Sequence, residues 1–367
     1  MAAALSPNAS DNAHNEPRPA HRRRRPRYPG THPRRPEERY KELRPEAYPG
    51  IQARVRARGG TPVGTHVPVL VNEVLECLDP KPGEIVADCT IGYGGHAAAF
   101  LGRIRPGGSL IGFDLDAGQL ERTRARLAGV EDVRIRLYHS HFAGIAKILR
   151  EEGLDGYDIL FADLGVSSMQ VDDPARGFSY RLDGPLDMRM DERTRKTASD
   201  RLASMTADEL STALRDLADE PDHERIAEAV VRHRAQRPIE RTLQLVDVVL
   251  AAKGMSRREW RRRARPGELH PAARTFLALR ILVNDELAGL AQLLRDAPYC
   301  LRPGGRIGII TFHSGEDRLV KKGFRQGLRS GLYAAIAEEV VRPTPEERRD
   351  NPRSASAKLR WARKPPG

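Results

Sequence analysis

Two short stretches concentrate the residue types that bind charged ligands and move protons. The first runs Asp88-Cys89-Thr90-Ile91-Gly92-Tyr93-Gly94-Gly95-His96. Gly92, Gly94 and Gly95 let a backbone turn tightly and approach a ligand with no Cβ in the way. Asp114 closes the next apolar run about twenty residues on, where an acid can accept from both hydroxyls of a ribose. The second stretch is Asp163-Leu164-Gly165-Val166-Ser167-Ser168-Met169-Gln170. It also follows an apolar run, so in an open α/β sheet it faces the same crevice as the glycine turn.

The ligand follows from the charge at the first site. A dinucleotide rests its pyrophosphate on the helix N-terminus and needs the full G-x-G-x-x-G/A spacing. Asp88, immediately before the glycines, would repel that anion but suits the ammonium of a methionine moiety. No P-loop Lys-Ser pair is present. The expected cofactor is therefore S-adenosyl-L-methionine, with Asp88, Gly92, Gly94, Gly95 and Asp114 as its binding residues.

The elements that must position these residues are legible as apolar runs. Strands are predicted over 84–88, 109–114, 133–137, 157–163 and 306–312, with helices between them. A last strand near 356–363 is expected to close an edge, and Ser314 to cap the helix after the fifth strand, with His313 as an alternative base. One long helix is expected to carry Phe276, Leu279, Val283, Leu287, Leu290 and Leu294 as a single stripe. Residues 172–268 contain no convincing strand. The fold class is α/β, a doubly wound Rossmann-like sheet with a helical inserted domain.

The chain has 367 residues, 39% hydrophobic and 31% charged, with a net charge of +12. Its mean hydropathy is -0.56, and no apolar run reaches a bilayer span of about eighteen residues, so no membrane role is expected. Cys77, Cys89 and Cys300 form no CxxC pair, which excludes a zinc ribbon and a disulfide scaffold and suits a reducing cytoplasm. No metal is expected, because His96 has no second His or Cys at ligand spacing. Residues 1–60 hold thirteen Arg and one Lys against six acids, and nine prolines. Residues 1–65 are accordingly expected to be a disordered basic extension, either merely solvated or a sequence-blind RNA tether. Residues 66–171 and 269–367 are assigned to the cofactor-binding domain, and 172–268 to an inserted RNA-recognition domain.

The longer motifs carry a resemblance. HVPVLVNEVLECL, DCTIGYGGH, GFDLD, DLGVSSMQVDDPARGFSYRLDGPLDMRMD, HPAARTFLALRILVNDEL, RPGGRIGIITFHSGEDRLVK and NPRSASAKLR spread over residues 66–363. Together they resemble the RsmH (MraW) family of class I methyltransferases. The resemblance implies S-adenosylmethionine-dependent methylation of N4 of one cytosine in 16S ribosomal RNA of the small subunit. It also implies a donor site at Gly94, Gly95, His96, Asp114, Phe142, Asp163 and Gln170. The roles of His96, Phe142 and Gln170 rest on the resemblance alone. Residues 1–65 lie outside the family's shared core, and 219–226 and 324–345 depart from its pattern. Gly315 stands where the family usually has leucine, which is expected to loosen the packing there.

Asp163, or a carbonyl of the turn after it, is the expected catalytic acceptor for the amine proton, with service to the donor alone as the competing role of Asp163. Ser167 and Ser168 are expected at the substrate. Phe178 and Tyr180 are candidates either to stack on an unstacked base or to pack their own loop. Arg258, Trp260 and Arg262 belong to a cluster with Arg257, Arg261, Arg263 and Arg265, read as a phosphate-contacting face or a solvated helix. The expected partner is 16S rRNA within the small ribosomal subunit, with a homodimer left open. A methyltransferase for another RNA, or a non-catalytic RNA-binding assembly factor, are the alternatives.

Overall fold

The computed structural model describes residues 68–265 and 267–367. The expectations for residues 1–65 therefore lie outside the described residues. The seven strands are β1 Ile85–Asp88, β2 Ser109–Asp114, β3 Arg134–His139, β4 Tyr157–Asp163, β5 Leu301–Thr311, β6 Ala335–Ile336 and β7 Lys358–Arg363. They form one sheet in the order β3-β2-β1-β4-β5-β7-β6. The pairings from β3 through β5 are parallel, while β7 is antiparallel to both β5 and β6.

Both faces of the central strands are covered, which explains the unbroken apolar runs of β1, β2 and β4. Along β1, Ile85 and Ala87 enter one core, with Phe113, Leu160 and Ile309. Val86 enters the other, with Leu110, Ile159 and Phe161. The first core is roofed by α4 Ile145–Glu151, α12 Glu286–Cys300 and α13 Ser314–Arg329. The second is roofed by α1 Val71–Leu78, α2 Gly95–Ile104 and α3 Ala117–Leu127. The strand order reverses between β1 and β4, so a crevice opens beyond their carboxyl ends.

Three expectations need correction. The last strand does not close an edge: β7 lies between β5 and the two-residue β6, which is too short to leave an apolar run in the sequence. The single long helix is two helices, α11 Ala273–Asn284 and α12, broken at Asp285 with φ 50. And Ser314 is not the cap of α13. His313 is, its ring accepting from the Glu316 N–H, while Ser314 Oγ donates to Asp219 at 2.7 Å.

Between β4 and α12 the chain is helical: α5 Ser168–Asp172, α6 Ala198–Ser204, α7 Ala207–Ala218, α8 His223–Arg234, α9 Thr242–Ala252, α10 Arg257–Arg263 and α11. α14 Pro345–Asp350 follows β6. Leu202, Leu214, Ile226, Val230, Leu245 and Val249 make a third core. Phe276, Leu279 and Val283 of α11 belong to that core too. The departing segment 219–226 is structural here. Asp219 receives Arg318 at 3.1 Å from each of two guanidinium nitrogens, and buried Glu220 pairs with Lys253 at 2.7 Å.

Candidate functional site

A cavity opens over the carboxyl ends of β1, β2 and β4 and is lined by Gly92, Gly95, His96, Asp114, Phe142, Asp163, Ser167, Ser168 and Gln170, among others. The chain after β1 reaches it through a turn in which Gly92 and Gly94 have φ of 50 and 71, left-handed values that favour glycine. Gly94 caps α2, which then presents Gly95 and His96 to the cavity. Gly94 itself is not on the wall; it shapes the turn.

Asp114 ends β2 with both carboxyl oxygens already engaged. Oδ2 accepts from the Gly92 N–H and Oδ1 from the Asp116 N–H, each at 2.8 Å. Burial dominates and carries its pKa up to about 6. Each oxygen retains a lone pair for a further donor.

Asp88 is placed differently from its expected contact with a ligand. It is 1% exposed and absent from the wall, and its carboxyl accepts from the Thr90 N–H at 3.1 Å. Burial raises its pKa to about 7. Thr90 in turn receives the Asp163 N–H on its Oγ1 at 2.6 Å. Asp88 thus sits behind Thr90 and acts on the cavity through that residue and its field. The strand's last side chain points into the core because β1 is buried on both faces.

Asp163 ends β4 on the wall. Its Oδ2 lies 3.6 Å from His96 Nδ1, and its Oδ1 is buried with no hydrogen-bond partner among the described residues. His96 Nε2 is 2.9 Å from the Val69 carbonyl, so it donates there and turns Nδ1 toward Asp163. Burial, followed by the nearby Asp88 and Glu316, carries the Asp163 pKa well above the carboxylate range. The acid can therefore hold a proton until a positive charge arrives beside it.

Gln170 is fixed by a capping box. The Ser167 N–H donates to its Oε1 at 2.9 Å, and its own N–H donates to Ser167 Oγ at 3.3 Å. Its amide nitrogen then donates to Asp116 at 3.0 Å. Asp116 also receives Arg176 at 2.6 Å. Burial would raise the Asp116 pKa, but the Arg176 and Gln170 hydrogen bonds outweigh it and hold the group low. Sequence reasoning gave no role to Asp116 or Arg176. The second acid of GFDLD, just before a helix, was the available signal for a cap.

Phe142 lies on the wall, with the His141 ring tilted on it at a centroid distance of 4.2 Å. Behind His141 stands Gly289 of α12, where any Cβ would come within 2.0 Å of His141 Cε1. A buried group missed by sequence reasoning closes the far side. Arg280 meets Glu286 through two hydrogen bonds of 2.9 Å, and Glu316 accepts from the Phe312 N–H at 2.8 Å while lying 3.1 Å from His313 Nε2. Gly315 packs against this His313 ring, its Cβ position 3.2 Å away, so a leucine there would crowd the ring and glycine fits closely.

The dense stretch 172–191 proves to be a strap. Arg176 reaches the Arg189 and Met190 carbonyls at 3.0 and 3.3 Å, and Asn284 donates to the Met188 carbonyl and accepts from the Met190 N–H, both at 2.8 Å. Phe178 is 7% exposed inside the helical core, and Tyr180 stacks on His270 at 4.8 Å. Both aromatics pack their own loop; Phe178 is not presented to a base. Trp260 likewise meets His270 edge-on at 5.4 Å, while Arg258 and Arg262 are exposed on α10. Among the described residues, none of α10 lines the cavity.

A parallel sheet that reverses at β1/β4, with an antiparallel strand inserted between the fifth and sixth, is the sheet of the class I methyltransferases. Its cavity lies where an open α/β sheet binds its ligand. The chain belongs to the MraW methylase family, whose model matches residues 64–365. It is 41% identical over 347 residues to ribosomal RNA small subunit methyltransferase H 1 of Lachnoclostridium phytofermentans, covering 94% of this chain and 93% of that one. It is 42% identical over 345 residues to ribosomal RNA small subunit methyltransferase H 2 of Alkaliphilus metalliredigens, covering 93% and 97%. It is 42% identical over 315 residues to ribosomal RNA small subunit methyltransferase H of Heliobacterium modesticaldum, covering 82% of this chain and 98% of that one. The first two alignments are longer than residues 66–367, so part of the basic extension has a counterpart in those relatives although it lies outside the family model.

Proposed function

We propose that this protein transfers a methyl group from S-adenosylmethionine to N4 of a cytosine in 16S ribosomal RNA, acting on the small subunit in the cytoplasm. The observation that carries the reading is Asp163: a carboxyl on the cavity wall with one unpartnered oxygen, its backbone and ring neighbours already satisfied. The cavity fits the donor. Asp114 keeps acceptor capacity for ribose hydroxyls, the Gly92–His96 turn gives close backbone approach, and Phe142 and Gln170 are held by their own partners. Gly94 and Asp88 support the site from behind the wall.

When bound, S-adenosylmethionine supplies an already electrophilic methyl group. The exocyclic amine of cytosine is a poor nucleophile because its lone pair is conjugated with the ring. Asp163 gives up its resting proton to solvent when a positive charge arrives beside it, and as the carboxylate it accepts a hydrogen bond from the amine N–H, localises that lone pair and takes the proton as the nitrogen becomes positive. His96 and Thr90 hold Asp163 in place, so much of the rate comes from positioning. Ser167 and Ser168 stand beside Asp163 to contact the incoming nucleotide, and Arg258 and Arg262, with Trp260 packed beneath them, offer phosphate contacts from the inserted unit, residues 172 to about 284. No helix among the described residues is long and apolar enough to cross a membrane.

The test is nucleoside mass spectrometry on small subunits lacking the modification, incubated with the protein and donor. A gain of N4-methylcytidine is expected. A different methylated nucleoside overturns the named acceptor. Donor binding with no methylated product favours a non-catalytic assembly factor.

A further inference from the structure

The outer face of α13 carries a second cationic feature, separate from the arginines of α10. Arg318, Lys322, Arg325 and Arg329 recur at helical spacing, with Lys321 beside them, and all five are exposed. The opposite face, Val320, Phe324 and Gly327, is buried. A helix that merely needs solubility mixes acids with its bases. Here both acids of the helix are spent elsewhere. Glu316 is buried at the cavity, and Asp317 is taken by Arg360 at 2.7 Å and Lys358 at 3.1 Å. Arg318 is paired with Asp219. Lys321, Lys322, Arg325 and Arg329 make no salt bridge among the described residues and line one shallow groove.

Position gives this face its meaning. α13 begins at the cavity, where Phe312 and Glu316 form part of the wall, and runs outward. From Arg318 to Arg329 the row spans about 16 Å at 1.5 Å per residue. A row of that length is long enough to meet more than one phosphate of an RNA strand. We propose that the outer face of α13 is a phosphate track that holds the RNA strand flanking the target nucleotide as it leaves the cavity. The track rests on the reading of this site as an RNA methyltransferase. It confers register and affinity, with no sequence selectivity of its own.

The test uses full-length protein carrying K321Q, K322Q, R325Q and R329Q together. Equilibrium binding to unmodified small-subunit RNA is measured across salt concentrations, beside turnover and donor affinity. Each lost phosphate contact removes roughly 0.7–0.9 from the slope of log K against log salt. The expected result is a slope shallower by about 3, a KM for RNA raised at least about tenfold, and unchanged kcat and donor affinity. Intact donor affinity also reports an intact fold. An unchanged slope and KM overturn the track and leave the methylation reading standing. If the wild-type protein binds RNA with the steep slope but methylates nothing, the methylation reading falls while the track survives. If the variant loses only kcat, α13 acts through the cavity and the track is wrong.

Discussion

Replacing Asp88 with Asn removes a charge that the fold holds at high cost. Burial carries the Asp88 pKa from its ordinary 3.8 to about 7. That rise corresponds to about 4 kcal/mol of preference for the neutral form at 1.36 kcal/mol per pH unit. The sign follows from proton counts. In the unfolded chain Asp88 ionises near its ordinary value, whereas the folded protein keeps the proton up to neutrality. The folded state therefore binds more protons between about pH 4 and 7, and stability falls as pH rises across that range. Asp88→Asn stays neutral in both states and can still accept from the Thr90 N–H. Urea unfolding of both proteins at about pH 5 and about pH 8.5 should show the variant gaining about 3 kcal/mol on the wild type between the two conditions. Asp114, raised to about 6, contributes to both proteins and cancels to first order, as does Asp163 apart from the part of its rise that Asp88 adds to burial. A difference between the proteins that stays constant with pH would refute the assignment of the cost to Asp88. Because Asp88 lies behind Thr90, donor affinity should change by only a few-fold; a loss of a hundredfold would mean that it contacts the donor directly.

Asp163→Asn should lower turnover by about a hundredfold, as expected for a lost general base, and weaken donor binding by less than that; full turnover in single-turnover assays would end its role as proton acceptor. Gly289→Ala forces a Cβ to within 2.0 Å of His141 Cε1, so the ring on Phe142 must move. Titration calorimetry should then show donor binding weaker by about tenfold, with about 1–3 kcal/mol lost in stability from overpacking. Asn284→Ala strands the Met188 carbonyl and Met190 N–H and should cost about 2–3 kcal/mol in urea unfolding. Unchanged stability would mean that the strap over residues 172–191 is held without it.

The strands were legible because burial on both faces of a parallel sheet leaves unbroken apolar runs, as in Ile85–Asp88 and Tyr157–Asp163. The glycine turn was legible because Gly92 and Gly94 adopt backbone angles that other residues resist. β6 escaped notice because two residues carry no period. The break at Asp285 escaped because the apolar stripe continues across it: α11 faces the helical core while α12 faces the sheet. Periodicity reports that a face is buried, and not against what.

The same limit divides the site. Residue types and spacing alone determined the α/β class, the crevice-facing loops and the acids that end β2 and β4. Only the tertiary structure decided that Asp88 lies behind the wall while Asp163 lies on it, and that Phe178 is spent on packing. It alone joined Asp116 to Gln170 and Arg176, partners 54 and 60 residues apart in the chain. Strand direction and burial are local consequences of the sequence pattern. The meeting of distant polar groups depends on how three separate cores set the elements against one another, and no local pattern encodes that.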